Sequence, residues 1–399
     1  MTTLAPPAAP PARRLAVWAG LAIAVTAVNL RTAVTGFSPL LETIGDRLGF
    51  GVALIGVLGT VPAASFAIFG LLAPVVTRRF GLERTATAAL ALTAASLLLR
   101  ALAPGPVVLV VSTVLALAGI GAANVVVVPL VKTWFPDRIA LWTSTYLLLL
   151  QTGQFIAPLL AVPVADAAGW RVSVGVWAVP AALAAVLWLV LALATRSADH
   201  RASAPAGTRP RVARSATAWG LVVLFALTAL TNYAVITWLP AVLTDAGGSR
   251  ALGGSMVALY SAWGVLAALA VPQLATRVAN PFPVVVVCSA LLVVGFVGLD
   301  LAPREGTLLW VCALGVGVSS FPLCLTLVNQ RTRTPAAAAS VSGFVQGTGY
   351  ALAATGPLGL GLLREATGSW SAPLWLLTAS VVPGLVAGWF ACRPRYVED

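Results

Sequence analysis

Apolar runs of twenty or more residues recur along the whole chain, separated by short polar breaks. They lie roughly at 15–41, 52–77, 84–103, 106–133, 139–165, 171–195, 217–243, 253–277, 281–302, 306–330, 337–363 and 371–392. Each is long enough for a helix rising 1.5 Å per residue to cross ~30 Å of hydrocarbon. The alternation of a β-barrel is missing. The pattern predicts an all-α membrane protein of twelve transmembrane helices. The break at 196–216 differs from the rest: it is polar, with Pro, Gly and five arginines. It divides the chain into two six-helix bundles, 15–195 and 217–392. The segments 1–14 and 393–399 read as tails, the first disordered and uncleaved, since the apolar run after Arg13 and Arg14 is too long for a signal peptide.

The halves echo each other. Gly119-Ile-Gly-Ala-Ala-Asn in the fourth run parallels Gly315-Val-Gly-Val-Ser-Ser in the tenth, and Gln151 and Gln346 open similar polar patches. Aligning Pro39 with Pro240 sets Arg31 opposite Asn232. Parallel repeats of this kind belong to a transporter architecture whose site lies between the halves at mid-depth.

Composition agrees with lipid as the solvent. Of 399 residues 59% are hydrophobic and 9% charged, against ~25% charged in a soluble domain. The net charge of +12 would suggest nucleic acid in a soluble protein. Here the charges sit in the breaks and orient the chain, so no nucleic-acid partner is expected. With the N-terminus in the cytoplasm, 17 of the 24 basic residues fall in cytoplasmic breaks and 6 in outer ones, Arg100 among the latter. That bias places both termini inside. All basic residues except Lys132 are arginine, as in a GC-rich genome, which suggests a bacterial inner membrane. The four cysteines have no metal or disulfide spacing. No HExxH, CxxC, Walker loop or hydrolase triad appears, so no enzyme, metal or cofactor is expected.

One charge breaks the pattern. Arg31 lies inside the first apolar run, where it costs at least ~2.5–3.5 kcal/mol to insert. No carboxylate lies deep in any run to neutralise it; Glu42 stands near the outer end of the same run. A buried cation without a partner is expensive, and a planar guanidinium suits small oxyanions and carboxylates. Arg31 therefore reads as the anchor of a site for an anionic small molecule; water and carbonyl groups are the structural alternative. Asn124, Gln151, Gln154, Asn232, Tyr233, Gln346 and Tyr350 read as polar lining, although each alone is as readily helix-packing glue. Trp238 and Tyr146 are candidate apolar walls. The only histidine, His200, is in the linker, so a coupling proton would travel with the substrate or through Glu42; exchange or uniport fits equally. Pro39, Pro129, Pro158, Pro240 and Pro357 are expected to kink their helices.

Several stretches carry a family resemblance. They are Asn29-Leu-Arg-Thr-Ala, Asn124-Val-Val-Val-Val-Pro-Leu-Val-Lys-Thr-Trp-Phe-Pro-Asp-Arg138, Trp238-Leu-Pro240, Phe321 to Thr332, Ser342-Gly-Phe-Val-Gln-Gly-Thr-Gly-Tyr350 and Gly356-Pro357. The chain resembles the cyanate/2-nitroimidazole permease branch (CynX/NimT) of the major facilitator superfamily. The resemblance implies two pseudo-symmetric bundles, alternating access, and helices one, four, seven and ten lining the cavity, which would include Arg31, Asn124 and Asn232. It implies a small substrate, an anion such as cyanate or a nitroimidazole, in a monomeric secondary active transporter. An exporter of neutral apolar molecules is the alternative. Where the superfamily usually has an acid four residues after the glycine of the loop between helices two and three, this chain has Pro74. Arg78, Arg79 and Arg333 are then the candidates for closing the cytoplasmic side, against helix ends or Glu83 and Asp137.

Overall fold

The computed structural model describes residues 13–195, 212–278 and 280–398. The tail 1–12 and most of the linker, His200 included, lie outside the described residues. Sixteen α-helices succeed one another among the described residues. The first half holds α1 (Arg13–Thr35), α2 (Leu41–Leu48), α3 (Val52–Phe80), α4 (Leu82–Ala101), α5 (Pro106–Trp134), α6 (Ile139–Ala168), α7 (Trp170–Gly175) and α8 (Ala178–Ala194). The second holds α9 (Ala216–Asp245), α10 (Arg250–Arg277), α11 (Phe282–Leu301), α12 (Thr307–Gly317), α13 (Ser320–Gln330), α14 (Pro335–Ala353), α15 (Thr355–Thr367) and α16 (Ser371–Cys392). Within the first half α4 packs on α5 and α8, and α1 on α6; within the second α9 packs on α14 and α16, and α11 on α12. The halves meet where α6 lies against α10 and α3 against α14 and α15.

Eleven stretches among the described residues are long and apolar enough to cross a membrane. The twelfth expected span, 337–363, is divided between α14 and α15. Pro357 stands in the first turn of α15, where its missing N–H matters least. Pro39 likewise sits in a short 3-10 turn, Ser38–Leu40, that separates α1 from α2. Just before each of these two prolines the helical run is interrupted while the backbone stays right-handed, and Pro129, Pro158 and Pro240 lie inside α5, α6 and α9. Polar residues cap helix starts: Ser215 accepts from Ala218 N–H, Ser249 from Leu252 and Thr334 from Ala337. The Leu, Val and Trp side chains left exposed along the helices (Leu98, Val179, Leu183, Val382 and Trp389 among them) face outward, as lipid requires.

The halves are in close contact at the end that carries α2. The Ser38 hydroxyl donates to the Ile236 carbonyl of α9. A Cβ at Gly254 of α10 would lie 2.8 Å from the Pro158 carbonyl oxygen of α6, and one at Gly56 of α3 3.0 Å from Cα of Leu358. Arg250 donates to Thr43 at 3.0 Å and lies 3.8 Å from Asp166.

Candidate functional site

Arg31 is partly exposed in the middle of the protein, and its Nε is inaccessible and has no hydrogen-bond partner. The sequence places it there because α1 is otherwise a continuous apolar helix through this depth. Its guanidinium lies beside the hydroxyls of Tyr233 in α9 and Tyr350 in α14, close enough to interact with both. It also lies 4.9 Å from the ring centre of Phe66 in α3. Tyr146 of α6 is near enough to interact with it electrostatically. Among the described residues no carboxylate pairs with it.

The rings pack on one another around the cation. Phe66 and Tyr350 are 5.7 Å apart, Tyr233 and Tyr350 6.4 Å, and Phe225 and Tyr350 5.0 Å, edge to face. Such contacts lock ring orientation. The arrangement offers one fixed positive charge, two hydroxyls that can turn to donate to an incoming acceptor, and flat apolar walls. The cation, Phe66 and Tyr146 come from the first half, Tyr233 and Tyr350 from the second.

Of the other residues expected at the site, Gln151 reaches across to α10, where a Cβ on Gly264 would lie 2.5 Å from its Nε2. Asn232 accepts a hydrogen bond from Tyr260 at 3.1 Å within the second half. Gln346 donates to Ser342 one turn earlier, at 2.7 Å. Asn124 is partly exposed in α5 and Gln154 is buried in α6. Trp238 stands apart from the Arg31 group. It is 4% exposed, donates to the Pro357 carbonyl at 2.9 Å and packs 5.3 Å from Trp370. It lines a small apolar cavity of about 30 Å³ inside the second half, with Phe296, Leu360 and Leu374. Glu42 lies near Thr244, Asp46 and Asp245 at the α2 end, eleven residues beyond Arg31.

At the opposite end Arg79 is exposed beside the Phe80 ring, 5.6 Å away. Arg333 is engaged by the C-terminal segment: its guanidinium is 4.6 Å from the Tyr396 ring and its backbone N–H donates to Glu398 at 2.9 Å. The side chain of Arg78 lies outside the described residues. Two findings were not foreseen. Phe66, one of thirteen phenylalanines, had no sequence signal separating it from packing residues. Arg100, expected in an outer break, is 1% exposed inside the first half. It ends an apolar run, so the sequence could not tell a helix's last buried turn from the loop beyond.

These features define a multi-pass membrane protein of two helical halves that meet around Arg31. Residues 21–357 match the Major Facilitator Superfamily, and the chain belongs to that family, whose members here are transporters and not enzymes. It is 33% identical to the 2-nitroimidazole transporter of Escherichia coli (strain K12), covering 94% of this chain and 95% of that one. It is 28% identical to the cyanate transport protein CynX of the same organism, over 92% and 94%. The fold resembles that of the nucleoside transporter NupG, with a TM-score of 0.77 at 12% identity over 93% of this chain and 99% of that one. A bacterial homologue of the lysosomal transporter Spinster, in an inward-facing and occupied conformation, gives 0.72 at 15% identity over 95% of each.

Proposed function

We propose that the protein is a secondary active transporter of a small anion or weakly acidic molecule, cyanate- or nitroimidazole-like, held between its halves by Arg31. The single observation that carries this reading is the guanidinium with two phenols and a phenyl ring around it and no carboxylate. A bound anion supplies the missing charge, and a desolvated guanidinium rewards a planar bidentate acceptor. The flat rings of Phe66, Tyr233 and Tyr350 suit a small planar molecule better than a bulky one. The names of the two E. coli relatives support that substrate class. Because the site draws on both halves, rocking one against the other would expose it to each side in turn, with both termini in the cytoplasm of a bacterial inner membrane.

Binding to purified protein tests this. Cyanate and 2-nitroimidazole should raise the unfolding temperature in a concentration-dependent way, whereas neutral heterocycles of equal size should not. Arg31→Ala should abolish the effect, and Arg31→Lys, which keeps the charge but not the fork, should weaken binding at least about tenfold. Wild-type binding by a correctly inserted Arg31→Ala protein would overturn the reading. Stabilisation by neutral heterocycles alone would favour an exporter of neutral molecules.

A further inference from the structure

The guanidinium of Arg100, buried in the first half, takes part in none of the contacts above, yet it is tied to the helix that carries Arg31. The last turn of α1 tightens. Gly36 N–H keeps the regular bond to Thr32, 3.0 Å, while Phe37 N–H turns to Val34, three residues back, at 3.3 Å. The Ala33 carbonyl, which a regular helix would leave to Phe37, accepts from Nη1 of Arg100 at 3.0 Å. The same guanidinium lies 4.3 Å from the ring centre of Phe37. Arg100 thus holds the last residues before the break and the first one after it. Its Nε is buried without a partner. A methionine would fill similar space without desolvating a charge, so packing stability alone does not account for arginine here.

The residues just past the break make an equally specific contact. Ser38 donates to Ile236, three residues beyond Tyr233, whose hydroxyl lies beside Arg31. The segment from Arg31 to Ser38 therefore engages α9 at both of its ends, across one turn. We propose that Arg100 is the positioning residue of the Arg31 site: by pinning the α1 break it fixes where Arg31 meets Tyr233 and where Ser38 meets Ile236. This rests on the function proposed above, since it concerns the placement of the substrate-holding cation.

The test measures the dissociation constant of 2-nitroimidazole or cyanate for purified, monodisperse full-length protein. Arg100→Met should raise it at least about tenfold, and Arg100→Lys, which can still donate to Ala33, should stay within about threefold of wild type. In an Arg31→Lys background Arg100→Met should change it by less than about twofold, because residues acting through one group are not additive. Phe37→Leu, which leaves Arg100 in place and removes the ring beneath it, should weaken binding in the same direction and carries the test if Arg100→Met does not fold. Wild-type affinity in Arg100→Met or in Phe37→Leu, or an equal penalty in both Arg31 backgrounds, overturns the proposal while leaving the site reading intact. Undiminished binding by Arg31→Ala removes the site reading and this one with it.

Discussion

Gly254→Ala is the sharpest way to ask whether the contact at the α2 end is one that opens. The new methyl group would lie 2.8 Å from the Pro158 carbonyl oxygen, closer than real Cβ atoms approach, with Pro39 Cβ next at 3.6 Å. A backbone carbonyl cannot rotate away as a side chain could, so α6 and α10 must separate. Overpacking of this kind costs about 1–3 kcal/mol. In a protein with two arrangements of its halves, that cost falls only on the one in which these helices touch here. The balance should then move about 5- to 150-fold toward the arrangement open at this end. The readout is the rate at which a membrane-impermeant maleimide labels Thr237→Cys, in a protein whose four native cysteines are replaced by serine. Thr237 is 6% exposed and its methyl faces Gly59, so labelling reports separation of the halves. A rise of about fivefold or more is expected. Gly384→Ala is the control, because its Cβ would meet only Leu227, at 3.8 Å. An unchanged labelling rate in folded Gly254→Ala protein, or an equal rise in the control, would refute the reasoning.

The site yields two further expected outcomes. Tyr233→Phe and Tyr350→Phe each remove a hydroxyl beside Arg31, worth about 1.5–3 kcal/mol when the partner is charged, so each should weaken anion binding roughly ten- to a hundredfold in calorimetry; binding unchanged by both would remove the phenols from the site. Trp238→Phe should lower the unfolding temperature, because it deletes the bond to the Pro357 carbonyl, worth about 0.5–1.5 kcal/mol, while the dissociation constant for ligand stays within about twofold.

The architecture was legible because the solvent is lipid. Every crossing must be an apolar helix with its backbone satisfied internally, so hydropathy alone draws the spans and the linker between halves. What escaped were the local interruptions. The first apolar run reads as one element to residue 41, but α1 stops at Thr35 and the chain restarts as a 3-10 turn and α2; Gly36 and Pro39 can either bend or end a helix, and only packing decides. The run at 337–363 divides at Ala354 for the same reason. Within the candidate site, Arg31 stands out in the sequence by its charge, and Tyr233 and Tyr350, which the fold brings beside it, by polarity within apolar runs. Direction around a helix was not readable in helices apolar on every side, which is why Trp238, expected at the wall, faces Trp370 instead, and why Phe66 went unmarked. Arg100 was misplaced because its anchoring group is a main-chain oxygen, and main-chain oxygens carry no signature in a sequence.

Two of the phenols beside Arg31, Tyr233 and Tyr350, belong to the opposite half of the molecule. If the proposed cargo claims the guanidinium, it would evict those hydroxyls or enlist them. Evicting them severs a tether between the two lobes; enlisting them makes the cargo itself the bridge. On the proposed reading, arrival of the passenger would rewrite the contact between the lobes either way, so recognition and release of the hinge would need no separate messenger.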